Sequence, residues 1–171
     1  MCLKNWLILF VSVFTLSCFG KRVVCRVPKR SINLLKISDE TRDPYVLLSF
    51  ERNFFRELGI ERGTDGDYLL VISLDDLSVS SIGHDKNGYS THDAITLKAT
   101  IWLYERGRVE PLFKRSLSVR DSYIVDSDPS IAISKRKASI DRLSLKLCRK
   151  IEVLLSRYFC LKEDRNAYMF R

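Results

Sequence analysis

Ile95-Thr96-Leu97-Lys98-Ala99-Thr100-Ile101-Trp102-Leu103-Tyr104 alternates strictly between purely apolar side chains and polar or amphipathic ones. Successive residues of a strand face opposite sides of a sheet. Ile95, Leu97, Ala99, Ile101 and Leu103 would therefore line one buried face, while Thr96, Lys98, Thr100, Trp102 and Tyr104 line the other. Alternation of this kind marks a half-covered strand. Antiparallel sheets commonly place one face on a core and leave the other accessible.

Working upstream, Asp85-Lys86-Asn87-Gly88 is a turn, because Asn-Gly tolerates the positive φ angles of tight hairpins. Before it, Tyr68-Leu69-Leu70-Val71-Ile72-Ser73-Leu74 is a near-continuous apolar run of strand-forming residues. Working downstream, Glu105-Arg106-Gly107-Arg108 is a second turn, and Phe113, Leu117 and Val119 then fall at even spacing. These three strands form an antiparallel meander. Ser31-Ile32-Asn33-Leu34-Leu35-Lys36-Ile37 supplies a further strand nearer the N-terminus.

Two helices complete the pattern. Asp43-Pro44 reads as an N-cap followed by proline at the first helical position. Leu47, Phe50, Phe54 and Leu58 follow on one helical face, and Gly59 supplies the stop, so the helix spans residues 44 to 58. Asp128-Pro129 repeats this start. Ile140, Leu143, Leu147, Ile151, Leu154 and Tyr158 then mark an amphipathic helix over residues 130 to 160. Its other sides carry Lys135, Arg136, Lys137, Arg142, Lys146, Arg149, Lys150 and Arg157. The tail, residues 161 to 171, shows no pattern. The expected architecture is α+β in the order β-α-β-β-β-α, with two helices on one face of a four-stranded, mainly antiparallel sheet.

The chain has 171 residues and a formal net charge of +8. Seven glycines and four prolines exclude a collagenous or linker-like chain, and 29% charged residues argue against a polytopic membrane protein. The basic balance points to an anionic partner without choosing one. The N-terminus narrows the choice. Lys4 precedes the apolar run Trp6 to Leu16, which is shorter than the roughly 20 residues of a membrane-spanning helix. A basic start, a short apolar middle and a small-residue end describe a secretory signal over residues 1 to 17. Cys18 after Leu16-Ser17 is similar to the acylated cysteine of a bacterial lipoprotein signal, although Thr15 stands where leucine is usual. A palmitate-type acyl anchor at Cys18 would hold the chain firmly to a membrane. Cleavage before Cys18 leaves 154 residues (171 less 17) and, with Lys4 gone, a charge of +7. An exported chain rarely meets a genome, and no nucleic-acid-binding motif is present, so nucleic acid is not the expected partner.

Cys25, Cys148 and Cys160 remain once Cys18 is acylated, an odd number that cannot all pair internally. Cys148 and Cys160 are separated by about 18 Å of helical rise and cannot bond to each other. His84-Asp85 and His92-Asp93 flank the hairpin turn, where the solvated reading is favoured over a metal site. Asp75-Asp76 is adjacent in a strand, so the two carboxylates are expected on opposite faces and make a poor acid/base pair. No phosphate loop, nucleophile elbow or metalloprotease motif occurs. No catalytic residue, metal site or cofactor is expected.

Several stretches, taken in order, resemble the LPS-assembly lipoprotein (LptE) family. They are Phe55-Arg56-Glu57-Leu58-Gly59-Ile60, Asp67-Tyr68-Leu69-Leu70-Val71-Ile72-Ser73-Leu74, Lys86-Asn87-Gly88, the strand Ile95 to Leu103, Arg115-Ser116-Leu117-Ser118-Val119, Ser122-Tyr123 and the long last helix. The likeness runs from about residue 18 to residue 160, a single domain between the signal and the tail. It implies a non-enzymatic, lipid-anchored protein on the periplasmic side of the outer membrane. Such a protein plugs the LptD β-barrel, helps it assemble and binds lipopolysaccharide during transport. The resemblance also implies lipopolysaccharide contacts at Lys86, just before Asn-Gly, and near the start of the last helix, where Lys135 in Ile131-Ala132-Ile133-Ser134-Lys135 is the nearest match. Lysine is an adequate point-charge partner for phosphate. A generic periplasmic lipoprotein or adaptor for another anionic or protein partner is the alternative. A third reading is a cytosolic basic module with an apolar N-terminal helix.

Overall fold

The computed structural model describes residues 27 to 169, with side chains to residue 162. After a short 3-10 turn at Lys29–Ser31 come β1 (Ile32–Asp39), α1 (Pro44–Leu58), β2 (Tyr68–His84), β3 (Ser90–Glu105), β4 (Phe113–Ile124) and α2 (Pro129–Met169). The sheet order is β1-β2-β3-β4. β1 runs parallel to β2, and the β2–β3 and β3–β4 pairs are antiparallel. This is the expected α+β order.

Local chemistry sets the boundaries of α1. The Asp43 carboxylate accepts the Tyr45 backbone N–H at 3.0 Å, Pro44 begins the helix, and Gly59 ends it in the left-handed region at φ 61°. A residue without Cβ adopts that conformation at little cost. Val46, Phe50, Phe54 and Leu58 are buried along one side. They meet Ile95, Leu97, Ala99, Ile101 and Leu103 of β3, all of them inaccessible, in a single apolar cluster. The alternation in β3 therefore predicts the covered face correctly.

α2 closes the same side through Ile140, Leu143, Leu147, Cys148, Ile151, Leu155 and Phe159. Leu154 and Tyr158, expected in this stripe, lie only at its margin. The buried row advances by four residues at each step beyond Leu143. Rows of that kind are inclined to the helix axis, and the twisted sheet beneath follows the incline. Tyr158 packs instead on Phe113, with ring centroids 5.2 Å apart. The expected end of this helix near residue 160 is also corrected, because α2 continues to Met169. No glycine or proline interrupts residues 161 to 169, and Lys162 Nζ donates to the Tyr68 hydroxyl at 2.7 Å, tying this turn to β2.

The strands are longer than their apolar runs. β2 continues through Asp75 to His84, and β3 begins at Ser90, so the hairpin extends past the part of β2 that pairs with β1. The outer edge of β1 is shielded near Leu34, whose N–H donates to the Glu61 carbonyl at 2.8 Å and whose carbonyl accepts from Gly63 N–H at 3.2 Å.

α1 and α2 are joined by a polar hub as well as by apolar packing. Asp141 accepts from the Tyr45 hydroxyl at 3.0 Å and from Arg52 at 2.7 Å, and also from Ser49. Ser49 is fully buried, so its hydroxyl depends on that carboxylate for a partner.

Candidate functional site

The β2–β3 turn, the end of β4 and the start of α2 lie at one end of the sheet. His84 pairs with Ser90, His92 with Ile124, and the Val125 N–H donates to the Thr91 carbonyl at 2.9 Å. The turn is built on Asp85. Its carboxylate accepts the N–H groups of Asn87 at 2.8 Å and Tyr89 at 2.9 Å, and its carbonyl accepts the Gly88 N–H at 3.0 Å. Only Gly88, at φ 82°, takes positive φ, so Asn87 does not use the left-handed region that its Asn-Gly context allows. The result is a type I turn closed by a glycine, a common three-residue hairpin solution.

Lys86 sits at the crest of this turn. It is exposed, and because the Asp85 carboxylate is committed to backbone N–H groups, Lys86 forms no ion pair among the described residues. Lys135 lies in the second turn of α2 at the same end, but its ammonium donates to Asp126 at 2.7 Å. That hydrogen bond holds the Asp126 carboxyl below the usual carboxylate range. The two expected lipopolysaccharide contacts therefore share one end of the molecule and differ in state: among the described residues Lys135 is paired with a carboxylate and Lys86 is not. Exposed apolar side chains accompany them: Ile82, Tyr89, Ile124, Ile131 and Ile133, with Tyr89 72% accessible. Cys18 lies outside the described residues.

The basic side of α2 has a use that sequence reasoning missed. Lys150 Nζ donates to the Ser118 carbonyl at 2.7 Å, Lys146 Nζ to the Arg120 carbonyl at 3.1 Å, and Arg142 to the Ser122 carbonyl at 3.4 Å. Cations four residues apart on one helix thus cap alternate outward carbonyls of β4, the last strand of the sheet. An open strand edge is a template for unwanted pairing, and charged side chains are a common way to block it. Arg142 and Lys146 also bind Asp121, each at 2.7 Å. Arg136 pairs with Asp43 at 2.7 Å, and Lys137 lies over the Tyr45 ring. Much of the cationic stripe is therefore internal glue. The regular spacing of 142, 146 and 150 was visible beforehand, but not that β4 lies alongside it.

The remaining sequence candidates separate. Asp93 accepts from Ser90 at 2.7 Å and from the Tyr123 hydroxyl at 3.1 Å. Burial, and then that carboxylate, pushes the Tyr123 phenol up. Among the described residues no group of three or more potential ligands converges for a metal. The expectation that Asp75 and Asp76 face opposite ways is wrong. A bulge between Leu74 and Asp76 breaks the alternation, since the extra residue lets two neighbours lean to one side. Asp75 accepts from Thr100 at 2.6 Å and Asp76 pairs with Lys98 at 3.4 Å, both on the face away from the helices. Each carboxylate has its own partner rather than the other acid. Burial pushes the Cys148 thiol up to about 12, which keeps it protonated and unreactive at neutral pH.

No protein-family pattern and no curated protein matches this sequence. Solved structures do match its fold. A Caulobacter crescentus protein, assigned provisionally as a lipoprotein, aligns at TM-score 0.59 and 17% identity over 78% of this chain and 93% of its own. Rare lipoprotein B from Shewanella oneidensis aligns at TM-score 0.53 and 14% identity over 76% of this chain and 99% of its own. The hypothetical protein CT253 from Chlamydia trachomatis aligns at TM-score 0.55 and 9% identity, covering 76% and 98% respectively. What this chain has in common with these bacterial proteins, two of them described as lipoproteins, is its two-helix, four-strand fold.

Proposed function

We propose that this chain is a non-enzymatic subunit of the outer-membrane lipopolysaccharide transport machinery, anchored through Cys18. In this reading it plugs and helps assemble an LptD-type β-barrel and binds lipopolysaccharide at its hairpin end. The observation that carries the reading is the meeting, at that end, of Lys86, a cation without an ion pair among the described residues, with exposed Ile82, Tyr89, Ile124 and Ile131. An amphiphile bearing phosphates and acyl chains matches both halves of such a surface: the phosphate meets a point charge, and the chains meet apolar side chains. The shared fold with rare lipoprotein B supports the same reading, as does the resemblance of the ordered motifs to the LptE family. The open face of the sheet is polar, with Asp75, Asp76, Lys98 and Thr100 in local pairs. Such a face suits the polar lumen of a large barrel better than a lipid surface.

The two lysines give a graded test. Lys86→Asp replaces an unengaged cation with an anion and is expected to weaken binding to purified lipopolysaccharide by about tenfold. Lys135→Asp removes a cation already neutralised by Asp126 and is expected to cost less. Titration of fluorescent lipopolysaccharide into the mature protein reads both. Equal affinity in wild type and in the double variant would remove the contact assignment.

A further inference from the structure

The charges of α2 are sorted by side. Arg142, Lys146, Arg149, Lys150 and Arg157 follow one another at steps of 4, 3, 1 and 7 residues, which keeps them on one side of the helix. Asp141 and Glu152 lie on another. Asp141 is held by Tyr45, Ser49 and Arg52 of α1, and Glu152 pairs with Lys29 at 3.0 Å. Next to the basic side, β4 adds Lys114, Arg115 and Arg120, all exposed. The one acid of β4 is Asp121, already engaged by Ser139, Arg142 and Lys146. Arg115, Arg120, Arg149 and Arg157 form no ion pair among the described residues. Internal contacts thus account for Arg142, Lys146 and Lys150 and leave these four arginines unexplained.

We infer that the β4 edge and the adjoining side of α2 form a second membrane contact, a docking surface for the headgroups of anionic phospholipids. Only the lipid anchor of the proposed function is presupposed, since it brings this rim next to a leaflet. One acyl chain with a basic patch holds a protein to a membrane far better than either alone.

The layout of the charges favours a plane of phosphates over a single anion. β4 is the last strand of the sheet, and its residues alternate between faces. Arg115 is in register with buried Ile101, on the helix side, whereas Lys114 and Arg120 are in register with Trp102 and Thr96, on the open side. Lys114 accordingly lies over the Trp102 ring, 5.3 Å from its centroid. The cations border the rim from both sides instead of converging on a pocket. Apolar side chains stand in the same helical row. Lys146, Lys150, Val153, Arg157 and Leu161 follow at steps of 4, 3, 4 and 4, with Val153 49% and Leu161 62% exposed. From Arg142 to Leu161 the row runs about 28 Å. A dissolved anion offers nothing to Val153 and Leu161. The boundary between headgroups and acyl chains takes both the cations and the apolar side chains, as it does for helices lying in a membrane interface.

The test uses the mature chain, residues 18 to 171, carrying Cys18→Ser so that no acyl group contributes. Co-sedimentation compares vesicles of phosphatidylcholine alone with vesicles containing about 30% phosphatidylglycerol. The protein should partition onto the anionic vesicles only, and about 1 M salt, which shortens the Debye length to about 3 Å, should release it. Arg115→Gln, Arg120→Gln and Arg149→Gln together should lower partitioning about a hundredfold. The control combines Arg30→Gln, Lys36→Gln and Lys137→Gln. These side chains are also exposed, on the 3-10 turn, on β1 at the opposite edge of the sheet and beside Tyr45 of α1. It reaches the same net charge, +4 (7 less 3), and should stay within about threefold of the parent. Melting of both variants near the parent temperature checks that they fold. Equal losses in the two variants would overturn the inference, because net charge rather than this rim would then govern binding. Equal partitioning onto both kinds of vesicle would also overturn it, as would binding to neither, the result for a rim that meets an acidic protein instead. Neither a barrel nor lipopolysaccharide is present, so failure here leaves the proposed function standing.

Discussion

Replacing Phe54 with alanine is expected to lower the unfolding free energy by about 4 kcal/mol. The side chain is fully inaccessible. It stands between the Phe50 ring, at a centroid distance of 5.7 Å, and the Phe55 ring, edge-on at 5.6 Å. It belongs to the buried apolar cluster that also holds Leu70, Ile72 and Ile101. Truncation removes the transfer free energy of the ring and leaves a void that neighbours fixed by a helix and a sheet fill only in part. A domain of this size holds roughly 5–15 kcal/mol in total, so the variant sits close to the limit of folding. Leu48 on the same helix, 61% exposed, serves as the control: Leu48→Ala should stay within about 0.5 kcal/mol of wild type. Chemical denaturation of the three proteins checks both values. A Phe54→Ala loss under 1 kcal/mol would mean that α1 does not pack as described.

Asp121→Ala is expected to cost about 2 kcal/mol near neutral pH. Asp121, on β4, accepts from Ser139, Arg142 and Lys146 of α2, each at 2.7 Å. The two cations are about half exposed, so each ion pair contributes only a fraction of a kcal/mol. Ser139 is fully buried, and leaving its hydroxyl without a partner costs roughly 1–3 kcal/mol. Burial pushes the Asp121 carboxyl up, but the hydrogen bonds from Lys146, Ser139 and Arg142 outweigh it and hold the group below the usual carboxylate value. The sign follows from that direction. A carboxylate whose folded pKa is depressed stabilises the fold fully above its unfolded value, near pH 4, and loses that contribution as pH falls through the folded value. The stability difference between wild type and Asp121→Ala should therefore be constant from about pH 7 to pH 5 and shrink below about pH 4. Denaturation midpoints measured from pH 7 down to pH 2.5 test this. A difference that persists unchanged in acid would contradict the account.

Most of the fold could be read from the chain because its signals are local. The period-two run at Ile95 to Leu103 names the covered face. Asp43-Pro44 and Gly59 bracket α1 at the observed residues. What escaped depends on tertiary placement. The parallel pairing of β1 with β2 arises from a crossover through α1, and no local pattern in β1 records it. The bulge at Asp75 inserts one residue into β2 without a glycine or proline to mark it. The buried row of α2 passes from Ile151 to Leu155 and Phe159 rather than to Leu154 and Tyr158, because the sheet beneath it sets the direction. The candidate site was half legible. Lys86 stands out by its turn motif, whereas the pairing of Lys135 with Asp126 joins α2 to the loop before it. Likewise, the roles of Arg142, Lys146 and Lys150 at the β4 edge exist only once strand and helix lie side by side.

The central proposal is a partnership with an outer-membrane barrel, and one measurement addresses it directly. The mature protein, tagged at its C-terminus, is captured from detergent-solubilised outer membranes, and whatever accompanies it is identified by mass spectrometry. One large β-barrel protein should be recovered in near-equal amount, with lipopolysaccharide in the same fraction. Recovery of the protein alone, or with soluble periplasmic partners and no barrel, would contradict it and favour the adaptor reading.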